Sequence, residues 1–216
     1  MKTKQLWVAL GLALSIGWLQ AYGSPLEQIK DPALKACIQA ALSKQGATGV
    51  EQITKLKCHN QGIESLDGIQ QLINLESLSL FNNRIEEADL TQLNRLEMLN
   101  LANNDLVSLQ ISGLGELKTL FLFKNNLTSI NMQGLVSLQK LRMMQNQLTV
   151  LDITSLVSLR EAHLFDNQLE DLQITGLSKL EYLDVKQNPM PDELYDFYDE
   201  QTGIVISHDG NADDWQ

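Results

Sequence analysis

The eleven residues Leu96–Leu106, LEMLNLANNDL, set three leucines ahead of Asn104 and one behind it. Leu99 and Leu101 are separated by one residue, which puts both side chains on one face of an extended strand and Asn100 on the other. The same frame returns 21 residues later as Leu117, Leu120, Leu122, Asn125 and Leu127, and then as Leu138, Leu141, Met143, Asn146 and Leu148. It continues through Leu159, Ala162, Leu164, Asn167, Leu169 and through Leu180, Leu183, Val185, Asn188, Met190. Upstream stand Leu75, Leu78, Leu80, Asn83 and Ile85, preceded 22 residues earlier by a degenerate copy with Leu56, Cys58, Gln61 and Ile63. A fixed interval of this kind marks stacked coils, none of which can bury its apolar face alone. About seven coils are expected.

The pattern L-x-x-L-x-L-x-x-N-x-L resembles that of leucine-rich repeats, and over residues 53–190 the chain is similar to bacterial, internalin-like members of that superfamily. The resemblance implies a strand-rich α/β fold: a right-handed solenoid with a parallel sheet on its concave side, an N-terminal helical cap and a short C-terminal cap of helix and strand. It also implies protein binding as the general role, although a fold alone does not name a ligand. The immunoglobulin-like segment and surface anchor that such proteins often carry after their repeats are not seen in this sequence, so adhesion from a cell wall is not expected.

The second half of each unit repeats too, as Leu106, Leu109, Ile111, then Leu127, Ile130, Met132, then Leu148, Leu151, Ile153 and Leu169, Leu172, Ile174. That spacing predicts a second short extended segment per coil and a flattened convex side. The asparagine row is read as structural, because an amide offers donors and an acceptor that can satisfy turn backbone turned away from water.

Residues 1–23 read as an export signal. Lys2 and Lys4 form a basic start, Leu6 to Leu19 is an apolar run, and Ala21-Tyr22-Gly23 offers small residues for cleavage before Ser24. A helix of about 14 residues would reach only about 21 Å, short of the roughly 30 Å hydrocarbon core, so a membrane span is not expected in the mature chain. The protein is expected to be exported, periplasmic or extracellular, and monomeric. Without Lys2 and Lys4, 14 basic residues face 27 acidic ones. That balance repels phosphate backbones, so nucleic acid is not an expected partner.

Residues 24–52 are expected to cap the first coil. Asp31 suits a helix N-cap, Pro32 the first helical position, and Leu34, Cys37, Ile38 and Leu42 share a face. Cys58 takes the place of the inward Leu80 and Leu101. A Cys37–Cys58 disulfide is therefore expected in an exported protein, contributing about 3 kcal/mol in the chain-entropy model. The rival reading, a metal site of Cys37, Cys58 and His59, places His59 on the wrong face of its strand. At the other end, residues 191–216 form an acidic cap and tail: a helix from Asp192 to Tyr198, a strand at Gly203–Ile206, and no Lys or Arg from Pro189 onward. Asp209, Asn211 and Asp213 imitate the start of a calcium loop but lack its glycine and its closing glutamate.

Residues between the inward leucines stack in columns about 4.8 Å apart on the concave face. One column is Phe81, Ala102, Phe123, Met144, Phe165, Lys186. The next is Ser79, Asn100, Phe121, Arg142, His163, Asp184, and the third is Ser77, Met98, Thr119, Lys140, Glu161, Tyr182. Three phenylalanines in one solvent-facing column have no folding purpose. The candidate site for a protein or peptide partner therefore comprises Phe81, Met98, Ala102, Phe121, Phe123, Lys140, Arg142, Met144, Glu161, His163, Phe165, Tyr182 and Asp184, with a notch expected at Ala102. No cofactor, metal or catalytic residue is assigned. A structural envelope protein without a discrete ligand is the alternative. A hydrolase built on a His163–Asp184 contact or a Glu161–Asp184 carboxylate pair is a distant third, since no Ser or Cys nucleophile shares the neighbourhood.

Overall fold

A computed structural model describes residues 24–210. The export signal expected at residues 1–23 and the tail from residue 211 lie outside them. After short 3-10 turns at Pro25–Gln28, the chain forms helix α1 (Pro32–Gln45), followed by strand β1 (Lys55–Lys57). Strands β2 (Ser77–Ser79), β3 (Glu87–Asp89), β4 (Met98–Asn100), β5 (Ser108–Gln110), β6 (Thr119–Phe121), β7 (Lys140–Arg142), β8 (Glu161–His163) and β9 (Tyr182–Asp184) follow, and helix α2 (Asp192–Asp199) and strand β10 (Val205–Ser207) close the chain. Eight of these strands form one parallel sheet in the order β1-β2-β4-β6-β7-β8-β9-β10. Each coil thus adds one three-residue strand in register with the last, Leu99 opposite Leu120 and Leu120 opposite Leu141. Among the described residues no helix is long and apolar enough to cross a membrane.

The leucines that repeat in the sequence are the core: Leu78, Leu99, Leu120, Leu141 and Leu183 are fully buried, as are Leu80, Leu101, Leu122 and Leu164. On the opposite side, among the described residues, only β3 and β5 pair, as a two-stranded parallel sheet. The second strand expected in every coil is therefore limited to two coils. In the later ones Leu127, Leu148 and Leu169 are buried, yet their segments run without strand pairing. Packing of the apolar side chains holds that side together, with isolated backbone bonds between coils such as Gln147 N to Leu127 O and Gln168 N to Leu148 O, both 2.9 Å.

Each asparagine ties two coils. Asn125 Nδ2 donates to Leu101 O of the preceding coil (3.1 Å) and to Leu122 O of its own (2.9 Å), while its Oδ1 accepts from Leu106 N (3.0 Å). Asn146 repeats the arrangement with Leu122 O, Met143 O and Leu127 N, and Asn167 with Met143 O, Leu164 O and Leu148 N. The residue just before each asparagine takes the left-handed conformation: Asn82, Asn103, Lys124, Gln145, Asp166 and Gln187 all have φ of 56° to 59°. Asparagine tolerates that region. Lysine and glutamine do so at a steric cost of roughly 1–2 kcal/mol.

Helix α1 and the 3-10 turn before it are bound to the first coil by three devices. Asp31 caps it, its Oδ1 accepting from Leu34 N at 2.8 Å, while Oδ2 accepts from Glu64 N and Ser65 N of the coil. Burial pushes the Asp31 pKa up, but these backbone donors outweigh it and hold the carboxylate below its usual value. The Cys37–Cys58 disulfide joins the helix to the end of β1, with Cα atoms 6.0 Å apart. Gly68, at φ 93°, lets the backbone of Gln28 approach so closely that a Cβ there would sit 2.3 Å from the Gln28 carbonyl oxygen. At the far end α2 covers the last coil through Tyr198, whose hydroxyl donates to Leu172 O at 2.9 Å, and Tyr195, which donates to Asn188 O at 3.1 Å. Burial raises the Tyr198 pKa and keeps that hydroxyl protonated.

Asn125→Ala leaves Leu106 N–H without its partner and removes one of two amide donors from each of Leu101 O and Leu122 O, which keep Asn104 and Asn146, and should lower unfolding free energy by about 2 kcal/mol in urea titration. Lys124→Gly, one residue away, should instead raise it by about 1 kcal/mol by relieving the left-handed backbone.

Candidate functional site

Strand pairing places the concave columns side by side. Ser77, Met98, Thr119, Lys140, Glu161 and Tyr182 are consecutive partners across the sheet, and so are Ser79, Asn100, Phe121, Arg142, His163 and Asp184. Alternation sends the middle residue of each strand to the core and its two neighbours outward. Phe81, Phe121, Phe123 and Phe165 are half-buried, as are Met98 and Met144. They share one face of the sheet.

The notch expected at Ala102 is not there. Ala102 is fully buried, and the rings of Phe81 and Phe123, two coils apart, approach to a centroid distance of 6.4 Å. Two strand spacings would separate them by roughly 9.6 Å, so the rings lean toward each other across the small residue between them. The methyl group that was to floor a depression is the support on which two rings meet. His59 extends this row, edge-on to Phe81 at 5.8 Å, with Nε2 2.6 Å from Ser79 Oγ. Burial, with Lys57 nearby, lowers its pKa and favours the neutral imidazole. Its rival role as a metal ligand has no thiolate to work with, since Cys37 and Cys58 are bonded to each other.

The charged flank is organised around Glu161. Its Oε2 meets Lys140 Nζ at 3.1 Å, and its Oε1 meets both an Arg142 terminal nitrogen at 2.9 Å and His163 Nε2 at 2.8 Å. The four residues occupy both outward positions of β7 and β8, so the contacts run along, across and diagonal to the strands. Arg142 also lies over the Phe121 ring, 5.2 Å from its centroid, and the His163 ring stands 5.0 Å from that of Tyr182. The aromatic and charged parts of the face are thus continuous through Arg142.

This geometry corrects the catalytic alternatives. His163 faces Glu161 rather than Asp184, whose carboxylate accepts instead from Lys186 N at 3.3 Å. The Arg142 hydrogen bond, supported by His163 and Lys140 and opposed by burial, holds the Glu161 pKa at about 2. A carboxylate so firmly ionised cannot serve as a proton donor near neutral pH. Sequence columns did not reveal Glu161 as the hub, because they align like positions and its partners include a residue two places along its own strand. They also passed over a groove at the N-terminal end of this face, where Lys55-Leu56-Lys57 was the available signal.

No known protein-family profile matches the chain, and no curated protein matches it. Solved structures do. The chain is similar to an internalin, InlF, of Listeria monocytogenes, at 23% identity and a TM-score of 0.68, over 86% of this chain and 58% of that one. It is also similar to internalin C2 of the same species, at 24% identity and a TM-score of 0.56, over 86% of this chain and 96% of that one. The chain therefore spans little more than half the length of the InlF structure. At this identity the likeness is one of fold: an internalin-like leucine-rich repeat solenoid.

The Glu161 cluster carries a pH signature. Because the folded pKa lies below the unfolded one, its contribution is complete above about pH 4.5 and is lost as pH falls toward 2. Full conversion of that shift gives about 3 kcal/mol. Lys140 and Arg142 side chains are 54% and 38% exposed, so screening reduces this to about 1 kcal/mol. Glu161→Gln should lose that amount at pH 7 and flatten the fall in urea midpoint between pH 5 and pH 2 by the same amount.

Proposed function

We propose that this protein is exported and binds a protein or peptide partner on its concave face. The observation that carries the reading is the row of half-buried rings, Phe81, Phe121, Phe123 and Phe165, standing with Met98 and Met144 on a surface the core does not need. Coil packing is already satisfied by the leucines on the other side of each strand. Export is supported by the basic and apolar N-terminal segment and by the disulfide between Cys37 and Cys58, which persists in oxidising compartments.

The energetics favour a preformed face. Covering about 400 Å² of apolar surface yields about 10 kcal/mol gross, comparable to the roughly 4–15 kcal/mol that association costs. Polar contacts must supply the remainder. Glu161 already binds Lys140, Arg142 and His163, so a partner meets a fixed constellation and spends little entropy ordering it, although Arg142 Nε is buried with no hydrogen-bond partner among the described residues. A fixed pattern of this kind discriminates between partners more than it adds raw affinity.

The second reading, a structural envelope protein with no ligand, draws support from the Phe81–Phe123 contact over Ala102, which shields part of the aromatic row. Phe165 takes no part in that contact, and the two readings divide over it. Phe123→Ser combined with Phe165→Ser should leave the circular dichroism spectrum intact and weaken a cross-linked and purified partner at least about tenfold, the loss of one or two ordinary interface anchors. Phe165→Ser alone guards against disturbance of the ring pair. Unchanged affinity in both variants would overturn concave binding.

A further inference from the structure

Where α1 meets the first two strands, a groove of ≈ 590 Å³ runs along the start of the concave face. Its wall is one side of the helix, with Cys37, Ala40, Ala41 and Lys44 at helical spacing, and its floor is Leu56 with Ser77 and Ser79. The depression has a simple origin. At the two outward positions of β2 stand serines, where later coils place Met98, Phe121, Lys140 and Arg142. The walls are held in place: the Cys37–Cys58 disulfide fixes the middle of the helix, and Gln45 Nε2 donates to Lys55 O at 2.9 Å near its end.

The charge of this groove opposes that of the whole. It is lined by Lys44, Lys55 and Lys57 with His59, and by no Asp or Glu, in a chain of net charge −11. Among the described residues none of these three lysines has a carboxylate within 4.0 Å, as is also true of Lys35, Lys124, Lys179 and Lys186, none of which lines the groove. Lys55 and Lys57 project from the same face of β1, separated by about 6.6 Å, which is also the repeat of same-side residues in an extended peptide. Small and apolar side chains, Ala40, Ala41 and Met98, lie beside the ammonium groups.

We propose that this groove takes an extended acidic stretch of polypeptide, with carboxylates two residues apart set on Lys55 and Lys57, a further one on Lys44, and the intervening apolar side chains against Ala40 and Ala41. Single ammonium groups spread along a groove suit carboxylates spread along a strand, rather than one compact anion. The inference rests on the concave reading in one respect: Met98 continues from the groove into the aromatic row, so the rest of the partner would run along that face. The protein's overall negative charge repels an acidic partner elsewhere and so steers its acidic segment to this end.

The test uses the mature chain and a fluorescein-labelled peptide of alternating Glu and Leu, followed by anisotropy, with an alternating Lys and Leu peptide as control. The Glu peptide should bind and the Lys peptide should not. Raising salt from about 10 mM to about 150 mM shortens the screening length from about 30 Å to about 8 Å and should weaken binding severalfold. The triple variant Lys44→Ala, Lys55→Ala, Lys57→Ala should lose about tenfold in affinity, the sum of three exposed ion pairs of ordinary strength. Lys55→Glu with Lys57→Glu should exchange the preference and bind the Lys peptide, which a merely structural role would not do. Equal affinity of the triple variant would overturn the proposal, as would equal binding of both peptides to the wild type. So would heparin binding more tightly than the Glu peptide through the same lysines, or the protein forming lysine-dependent oligomers that exclude the peptide. Phe123→Ser with Phe165→Ser should leave the Glu peptide's affinity unchanged, so failure of the aromatic reading and failure of the groove register in different variants.

Discussion

The fold depends on an amide that can donate twice and accept once in the same place. A stack of short coils turns a tight corner every 21 residues, and each corner points carbonyls and an N–H into a space without water. Asn104, Asn125, Asn146, Asn167 and Asn188 meet this need by binding their own coil and the one before it. Aspartate lacks the donors, and a leucine has neither. The register of the sheet follows, because a coil whose corner is bonded to its predecessor cannot slide by one residue without breaking the asparagine's two hydrogen bonds to that predecessor. With the register set, the outward residues stand in columns, and the surface chemistry of the protein is decided by which residues occupy them.

Much of this was legible from spacing alone. Leu99 and Leu101 face inward because strand geometry leaves no choice, and Cys58 was placed inward because it stands where its later counterparts are leucines. The Cys37–Cys58 bond followed from a helix face and a strand face that had to meet. What could not be read depends on side-chain reach. Phe81 and Phe123 come together because Ala102 between them is small, and a column of letters contains no information about how far a ring leans. Glu161 gathers a lysine, an arginine and a histidine because a glutamate can turn along its strand as well as across the sheet. The groove beside α1 is further from the sequence still, since it exists only once a helix from one end is laid against strands whose outward residues are serines. On the convex side repeating apolar positions predict repeating strands, but burial satisfies most of them without strand pairing.

The surface that results is graded along the solenoid. Unpaired lysines lie at the first strand, rings run from Phe81 after β2 to Phe165 after β8, an ionic cluster on Glu161 sits at β7 and β8, and an acidic helix closes the far end. These zones are independent in their physics. The first responds to salt, the second to apolar area, and the third to protonation of the Glu161 carboxylate. A long partner could therefore be read in segments by different forces.

The two ends of the stack are fastened in unlike ways. At the start a covalent sulfur bridge and a carboxylate shared between helix and coil hold the cover down, whereas the last coil relies on two phenolic hydroxyls and on β10, whose Val205 is 64% exposed. Neighbour-only architectures melt from whichever end is weaker. The solenoid should accordingly unzip from its carboxyl terminus inward, leaving a stapled stub whose amides exchange with deuterium last, so that the lysine groove outlives the ionic cluster as the molecule is warmed.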